Sequence, residues 1–260
     1  MTNRTATVYK NGYANGRMKL RDNTKIIFFG DSITHGVFGE SYLKELDRML
    51  SGKFPNFEYR LINKGRSGDT VYSLLKRVER DVISLSPHIV VIMIGGNDVL
   101  LKHADNYKIL QEKTGIKDQI PARNIAEFKD SFRKLINHIK GSIRTRIVLC
   151  TPPTIGEDLK NRYNREMVHY NIVIRKIAMD YHLDMIDINA AFHRELRGSH
   201  PRHDVVPRMT DIYDDLEKLK ETSADKLSKE RGLTLTYDGG HLNSKGARLI
   251  AEHLFDYLVN

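Results

Sequence analysis

Four short motifs carry residue types that together could perform acyl transfer. They are Gly-Asp-Ser at 30–32, Ser-Gly-Asp-Thr at 67–70, Gly-Gly-Asn-Asp at 95–98 and Asp-Gly-Gly-His at 238–241. In this order they supply a serine, a loop glycine, an amide side chain, and a histidine with a carboxylate three residues before it. These are the parts that serine-based acyl transfer needs: a nucleophile, donors for an oxyanion, a general base and a carboxylate that orients the base.

Ser32 is the candidate nucleophile, His241 the candidate base and Asp238 the carboxylate that would orient it. A serine hydroxyl is a weak nucleophile until a base within hydrogen-bond distance can accept its proton. A carboxylate bonded to one ring nitrogen fixes the histidine tautomer and stabilises the imidazolium that forms. Glycine is absent two residues after Ser32, so the nucleophile elbow of α/β-hydrolases is excluded.

The candidate oxyanion donors are the backbone N–H groups of Ser32 and Gly68 and the side-chain amide of Asn97. Each such donor is typically worth ~10²–10³ in rate. Glycine suits position 68 because the substrate must approach the backbone closely. His35 lies three residues after the serine. Its one nearby carboxylate is Asp31, so it is interpreted as a loop residue beside the site.

Apolar runs of strand length alternate with segments of helical period and predict the elements that position these residues. The runs are Lys25–Phe29, Tyr59–Ile62, His88–Ile94, Arg146–Cys150 and Leu183–Ile188. The first and third are apolar at successive positions, which is typical of strands buried on both faces of a parallel sheet. The alternation predicts a three-layer α/β fold with a five-stranded, mainly parallel sheet.

The motifs fall where such a fold would bring them together. Ser32, Gly68 and Asn97 follow the first three predicted strands, and the 238–241 motif precedes the last helix. Loops at the carboxyl ends of parallel strands share one edge of the sheet, where active sites form. Residues far apart in the chain are therefore expected to meet there.

Three segments do not fit the strand–helix repeat. Residues 1–23 are predicted to form an N-terminal arm packed on the domain, and residues 24–260 a single domain. Residues 101–122 form a long excursion, and residues 195–236 an insertion. Long loops in a compact domain are often lids or binding loops. A lid and a plain surface insertion both stay open for 195–236.

Composition limits the classes of partner. The 260 residues include 42 Lys and Arg against 33 Asp and Glu, for a net charge of +9. This excess could attract an anionic partner or simply keep the surface solvated. Basic runs are not interleaved with aromatic residues, so no nucleic-acid partner is expected. The N-terminus lacks an apolar signal core, and no stretch approaches the ~18 apolar residues that span a bilayer. A cytoplasmic location is expected.

On these motifs the chain resembles the SGNH hydrolases, also called GDSL-type esterases. The 30–32 motif matches the serine block, Gly68 the glycine block, Asn97 the asparagine block, and the 238–241 motif the closing Asp-x-x-His block. The resemblance implies a flavodoxin-like sheet of five parallel strands. It also implies hydrolysis of esters, sometimes thioesters, through an acyl-enzyme, with no metal and no cofactor.

The resemblance also suggests a substrate class. Ile33 and Thr34 follow the serine where many members carry Leu and then Ser or Thr, a variant similar to esterases that act on acetylated sugars. The expected function is a serine esterase that hydrolyses a short acyl ester, an O-acetyl group on a carbohydrate. A lysophospholipase or acyl-thioesterase is the alternative on the same scaffold, favoured if residues 101–122 and 195–236 enclose an apolar groove.

Two alternatives belong to other classes. One is a glycan- or lipid-binding module that keeps the pocket without activity. The other is a metal-dependent phosphoesterase with oxygen and nitrogen ligands. Its candidate ligands are Asp31, His35, Asn97, Asp98, Asp238 and His241. Among these residues, His241 is the one histidine that lies in a motif and has a clear partner, Asp238. The oligomeric state is not predicted.

Overall fold

The computed structural model describes residues 8–9, 19–103, 108, 112, 118–198, 205–207 and 211–260. The strands are β1 (Val8–Tyr9), β2 (Thr24–Gly30), β3 (Tyr59–Gly65), β4 (Ile89–Met93), β5 (Arg146–Cys150) and β6 (Asp184–Ile186). The helices are α1 (Ser32–His35), α2 (Tyr42–Lys53), α3 (Val71–Asp81), α4 (Gly96–Leu100), α5 (Ile125–Ser142), α6 (Arg162–Asp180), α7 (Ile188–Leu196), α8 (Ile212–Lys218), α9 (Ala224–Glu230) and α10 (Ser244–Val259).

The strands form one sheet in the order β1-β6-β5-β4-β2-β3. Strands β2 to β6 run parallel, which confirms the prediction of five parallel strands. The sheet has a sixth strand that was not predicted, because β1 pairs antiparallel with β6 through Val8 and Ile186. With only two residues, β1 is too short to show a period in the sequence.

Helices cover both faces of the sheet, which explains the continuous apolar runs of its central strands. One core cluster packs residues of β2 and β4 against α3, α5 and α6. The other packs the alternate residues of the same strands against α2, α7 and α10. Ile26, Ile27, Phe28 and Phe29 of β2 are all fully buried. The three-layer α/β architecture is therefore confirmed.

The strand β6 ends earlier than the run Leu183–Ile188 predicted. Its last residue is Ile186, and Asp187 starts α7 instead. The Asp187 carboxylate accepts a hydrogen bond from the backbone N–H of Ala190 at 3.1 Å. This N-cap satisfies a donor that the first turn of a helix leaves free, and so it ends the strand.

The predicted arm and insertion are described only in part. Of the arm over 1–23, the structure describes β1 and the residues from 19 onward, where Lys19 and Leu20 donate to the carbonyl of Leu258 at 3.0 and 2.9 Å. Of the insertion over 195–236, residues 199–204 and 208–210 lie outside the described residues. Both assignments stay predictions. Within the described ranges, no helix combines the length and apolar character that crossing a bilayer requires.

Candidate active site

Ser32 is the first residue of α1, directly after β2. The N-cap of this short helix is Asp31, whose Oδ1 accepts the backbone N–H of Ile33 at 3.0 Å. Because the Asp31 carboxylate caps the helix, the Ser32 hydroxyl is not used for that purpose. The Ser32 Oγ instead lies 3.0 Å from Nε2 of His241. The Ser32 hydroxyl therefore contacts the His241 imidazole and does not cap the helix.

The loop 238–241 folds so that its carboxylate and imidazole face each other. Asp238 Oδ1 accepts the backbone N–H groups of Gly240 at 2.8 Å and His241 at 2.7 Å. Asp238 Oδ2 lies 2.7 Å from Nδ1 of His241, and both side chains are buried. An ionised carboxylate can only accept, so the proton of a neutral His241 is on Nδ1. Nε2 is then free to accept from the Ser32 hydroxyl.

The charge of Asp238 determines how His241 titrates. Burial disfavours the imidazolium, but the nearby Asp238 carboxylate and its hydrogen bond outweigh that cost and raise the pKa of His241. Burial likewise disfavours the carboxylate, yet His241 lowers the pKa of Asp238 below its ordinary value. The ring of Phe38 packs on the imidazole with centroids 5.0 Å apart. The site therefore stabilises the imidazolium that proton transfer from serine would create.

The loops that carry Gly68 and Asn97, after β3 and β4, are joined by a hydrogen bond. Asn97, in the first turn of α4, donates from Nδ2 to the backbone carbonyl of Asp69 at 2.9 Å. An amide nitrogen has two N–H groups, so this bond orients the Asn97 amide and leaves one donor. The backbone N–H of Arg66 donates to the Gly30 carbonyl at 3.1 Å, which joins this loop to the end of β2.

The backbone at Gly68 explains the glycine in a different way from the sequence interpretation. Its φ is 81°, a left-handed conformation that favours glycine. A Cβ at this position would also collide with the side chain of Gln119. The backbone conformation thus favours glycine here, whether or not a substrate approaches.

Arg77 joins the elements that carry the candidate nucleophile and donors, and sequence analysis missed it. Its side chain donates to Asp69 Oδ2 at 2.6 Å, to the Gly30 carbonyl at 3.1 Å and to the Lys64 carbonyl at 2.8 Å. Arg77 is 7% exposed and sits on α3 beside Leu74 and Val78 of the apolar face. An arginine on the apolar face of a helix needs buried partners. The position of Arg77 in the apolar stripe of α3 was therefore the feature of the sequence that could have indicated it.

The end of the 101–122 excursion lies on the glycine motif. Gln119, fully buried, donates from Nε2 to the Ser67 carbonyl. Thr70 Oγ1 donates to the Ile120 carbonyl at 2.7 Å, and the N–H of Ala122 donates to Asp98 Oδ1 at 3.1 Å. Most of the preceding residues, 104–117, lie outside the described residues. No motif or period in the sequence pointed to Gln119.

Two further motif carboxylates are buried and structural. Burial raises the pKa of Asp31 to about 7, and the nearby Asp69 carboxylate adds to the effect. Burial also raises the pKa of Asp98 to about 7, although it accepts backbone N–H bonds from Ala122 and Val71. A partly protonated carboxyl places less negative charge beside the donors than an ionised one would.

The other ligands named for a metal site are spread among different contacts. His35 Nδ1 lies 3.0 Å from the Ser67 Oγ, whereas the Ser32 hydroxyl faces His241. In the part of the chain that the structure describes, no three His, Cys, Asp or Glu side chains are grouped as metal ligands.

Comparison with known proteins places this chain in a family. A profile of the GDSL-like Lipase/Acylhydrolase family matches residues 28–249. An acetylxylan esterase of Geobacillus stearothermophilus is 31% identical over 196 residues, which cover 71% of this chain and 84% of that protein. All four motifs lie within the matched residues 28–249.

Solved structures agree with this assignment. The acetylxylan esterase Axe2 of Geobacillus stearothermophilus superposes with a TM-score of 0.66 at 26% identity, covering 93% of this chain and 96% of that one. Structures of its catalytic mutants carry alanine for a serine, an aspartate and a histidine, the last two three positions apart. LAE5, an α/β hydrolase from the metagenome of Lake Arreo, shares the fold with a TM-score of 0.66 at 23% identity. This chain therefore belongs to the GDSL-like lipase/acylhydrolase family and is an SGNH-type ester hydrolase.

Proposed function

We propose that the protein removes short acyl groups, O-acetyl groups in particular, from a carbohydrate through an acyl-enzyme on Ser32. The observation that carries the proposal is the hydrogen-bonded chain from Asp238 through His241 to Ser32, with distances of 2.7 and 3.0 Å. The substrate class rests on the similarity to an acetylxylan esterase at 31% identity.

In the first half of the reaction, Ser32 Oγ attacks the ester carbonyl carbon while Nε2 of His241 takes its proton. The carbonyl oxygen becomes an oxyanion and accepts from the N–H groups of Ser32 and Gly68 and from the free N–H of Asn97. His241, now an imidazolium stabilised by Asp238, donates its Nε2 proton to the leaving alcohol oxygen. The bond between the carbonyl carbon and that oxygen breaks, and the acyl group stays on Ser32.

In the second half, water takes the place of the alcohol. His241 accepts a proton from the water as its oxygen attacks the acyl carbon, and the same donors bind the new oxyanion. The proton then returns to Ser32 Oγ as the ester bond to serine breaks. The free acid leaves, and the enzyme returns to its starting state without a cofactor.

A chain-length series tests the acyl preference. We expect kcat/KM to be highest for 4-nitrophenyl acetate and to fall for the butyrate and octanoate, and acetate to be released from acetylated xylo-oligosaccharides. The Ser32→Ala variant measures background hydrolysis. Faster turnover of octanoyl than acetyl esters, or of lysophosphatidylcholine or an acyl-coenzyme A, would replace the acetyl proposal with the lysophospholipase or thioesterase alternative.

Asn97→Ala tests the oxyanion donors. Loss of one preorganised donor is expected to lower kcat by about 10²-fold, because the donor acts on charge that develops only in the transition state. KM should change much less. Steady-state kinetics on 4-nitrophenyl acetate, with circular dichroism as the folding control, measure both. A folded variant with wild-type kcat would remove Asn97 from the site.

A further inference from the structure

We infer that Glu157 is a positioning residue for the catalytic base. Glu157 lies in the loop between β5 and α6, and its carboxylate holds the segment 234–236 that leads into the 238–241 loop. It touches none of the reacting atoms proposed above and would act through Asp238 and His241. The inference rests on the proposed roles of those two residues.

The contacts of Glu157 form a built acceptor site for a stretch of irregular backbone. Its Oε2 accepts the N–H of Thr234 at 2.6 Å. Its Oε1 accepts the N–H groups of Leu235 at 2.7 Å and Thr236 at 2.9 Å, and the Thr236 hydroxyl at 2.8 Å. The side chain is 2% exposed. One buried carboxylate therefore satisfies three successive backbone donors, and bonds to an ionised acceptor are about twice as strong as neutral ones.

A second contact fixes the other side of Asp238. The backbone N–H of Gly156 donates to the carbonyl of Gly239 at 2.5 Å. Neighbouring residues Gly156 and Glu157 thus hold the chain on both sides of Asp238, at 239 and at 234–236. Asp238 therefore lies between two points at which the chain is bonded to the loop between β5 and α6.

That loop is in turn anchored to the amino end of α6. Asn161, the N-cap of α6, donates from Nδ2 to the Ile155 carbonyl at 2.7 Å. Asn164 donates from Nδ2 to the Gly156 carbonyl at 3.2 Å, and its Oδ1 accepts the N–H of Ile155 at 2.9 Å. The amino end of α6 is therefore one support of the 238–241 loop, and Glu157 links it to residues 234–236.

The consequence for catalysis is geometric. Proton transfer from Ser32 needs the 3.0 Å contact to His241, which depends on the 2.7 Å contact from Asp238. A displacement of about 1 Å at a reacting group can cost on the order of 10²-fold in rate. Without Glu157, three backbone donors at 234–236 must find water, and of the two attachments only the bond from Gly156 N–H to the Gly239 carbonyl is left.

The experiment compares Glu157→Ala and Glu157→Gln with the wild type. Active sites are first counted with a fluorophosphonate, so that misfolded protein does not enter kcat. For Glu157→Ala we expect kcat per labelled site to fall by about 10²-fold with KM nearly unchanged. Glu157→Gln keeps an acceptor oxygen and should lie between the two. The far-downfield proton resonance of the bond between His241 Nδ1 and Asp238 should weaken in the same order.

The pH profile separates positioning from a purely structural role. His241 must be neutral to act as a base, and the Asp238 carboxylate raises its pKa. If loss of the Glu157 attachment weakens the hydrogen bond between Asp238 and His241, the pKa of His241 falls. The acid limb of kcat/KM then moves to lower pH. A simple loss of folded protein would scale the profile without moving this limb.

Asp184→Asn is the matched control. Asp184 lies at the amino end of β6, where it accepts the Tyr257 hydroxyl at 2.6 Å and pairs with Arg146 at 3.3 Å. The variant should lose thermal stability without a change in kcat per labelled site or in the acid limb.

Wild-type kcat and an unmoved acid limb in folded Glu157→Ala would overturn the inference. If that variant does not fold, an unmoved limb in Glu157→Gln would overturn it instead. Failure of the proposed function is distinguishable, because the wild type itself would then take no fluorophosphonate.

Discussion

Ser32→Ala is expected to abolish both ester hydrolysis and covalent labelling by a fluorophosphonate, with the fold intact. The hydroxyl of Ser32 is the group that faces Nε2 of His241 at 3.0 Å, so its loss leaves the base without a nucleophile to activate. Loss of a triad serine has cost about 10⁶-fold in kcat in a serine protease, and we expect a fall of that order here. Intact-mass spectrometry of labelled protein and initial rates on 4-nitrophenyl acetate measure the two effects.

Ser67→Ala is the matched control, because Ser67 belongs to a second serine–histidine pair with His35 at 3.0 Å. That variant should still take one adduct. An adduct that persists in Ser32→Ala and disappears in Ser67→Ala would transfer the nucleophile to Ser67. A folded wild type that takes no adduct at all would contradict the proposal of an activated serine.

Asp238→Asn is expected to lower kcat by about 10⁴-fold, the effect of the same change in a serine protease triad. An asparagine amide can donate to Nδ1 of His241, so the ring can carry its proton on Nε2, where it cannot accept from Ser32. The imidazolium also loses the carboxylate that stabilises it. Steady-state kinetics over a pH series measure both the plateau and the position of the acid limb.

The direction of the pH effect follows from the charge that is removed. In the wild type the pKa of His241 is raised, so kcat/KM falls as the pH drops through that raised pKa. In Asp238→Asn the pKa of His241 should fall, and the limb should move to lower pH on a much lower plateau. Asp225→Asn, which removes a carboxylate that binds Ser244 at the start of α10, should leave both unchanged. An unmoved limb in Asp238→Asn would mean that Asp238 is not the partner of His241.

Sequence patterns predicted the architecture well where many residues repeat one period. Five apolar runs and the helical segments between them predicted the five parallel strands, and the doubly buried β2 and β4 were visible as continuous apolar runs. The strand β1 was not predicted because it has two residues, too few to show a period. The end of β6 was misplaced because Asp187 caps α7, a local hydrogen bond that competes with the strand.

For the candidate site, the sequence by itself determined the residue types and their order. Asp238 and His241 are three residues apart, so their pairing is a local feature of the sequence. Ser32, Gly68 and Asn97 lie in the loops after β2, β3 and β4, and in a parallel sheet these loops share one edge. These inferences need only short motifs and the fold class, which is why they could be made without coordinates.

Only the tertiary structure decided what holds these residues in place. Arg77 bonds to Asp69 and two carbonyls, Gln119 packs on Gly68, and Glu157 binds the backbone at 234–236. Arg77 reaches the Gly30 carbonyl 47 residues away, Gln119 the Ser67 carbonyl 52 residues away and Glu157 the Leu235 N–H 78 residues away, each through one polar side chain. Such bonds depend on where the chain returns in space and leave no periodic pattern, so they cannot be predicted from residue spacing alone.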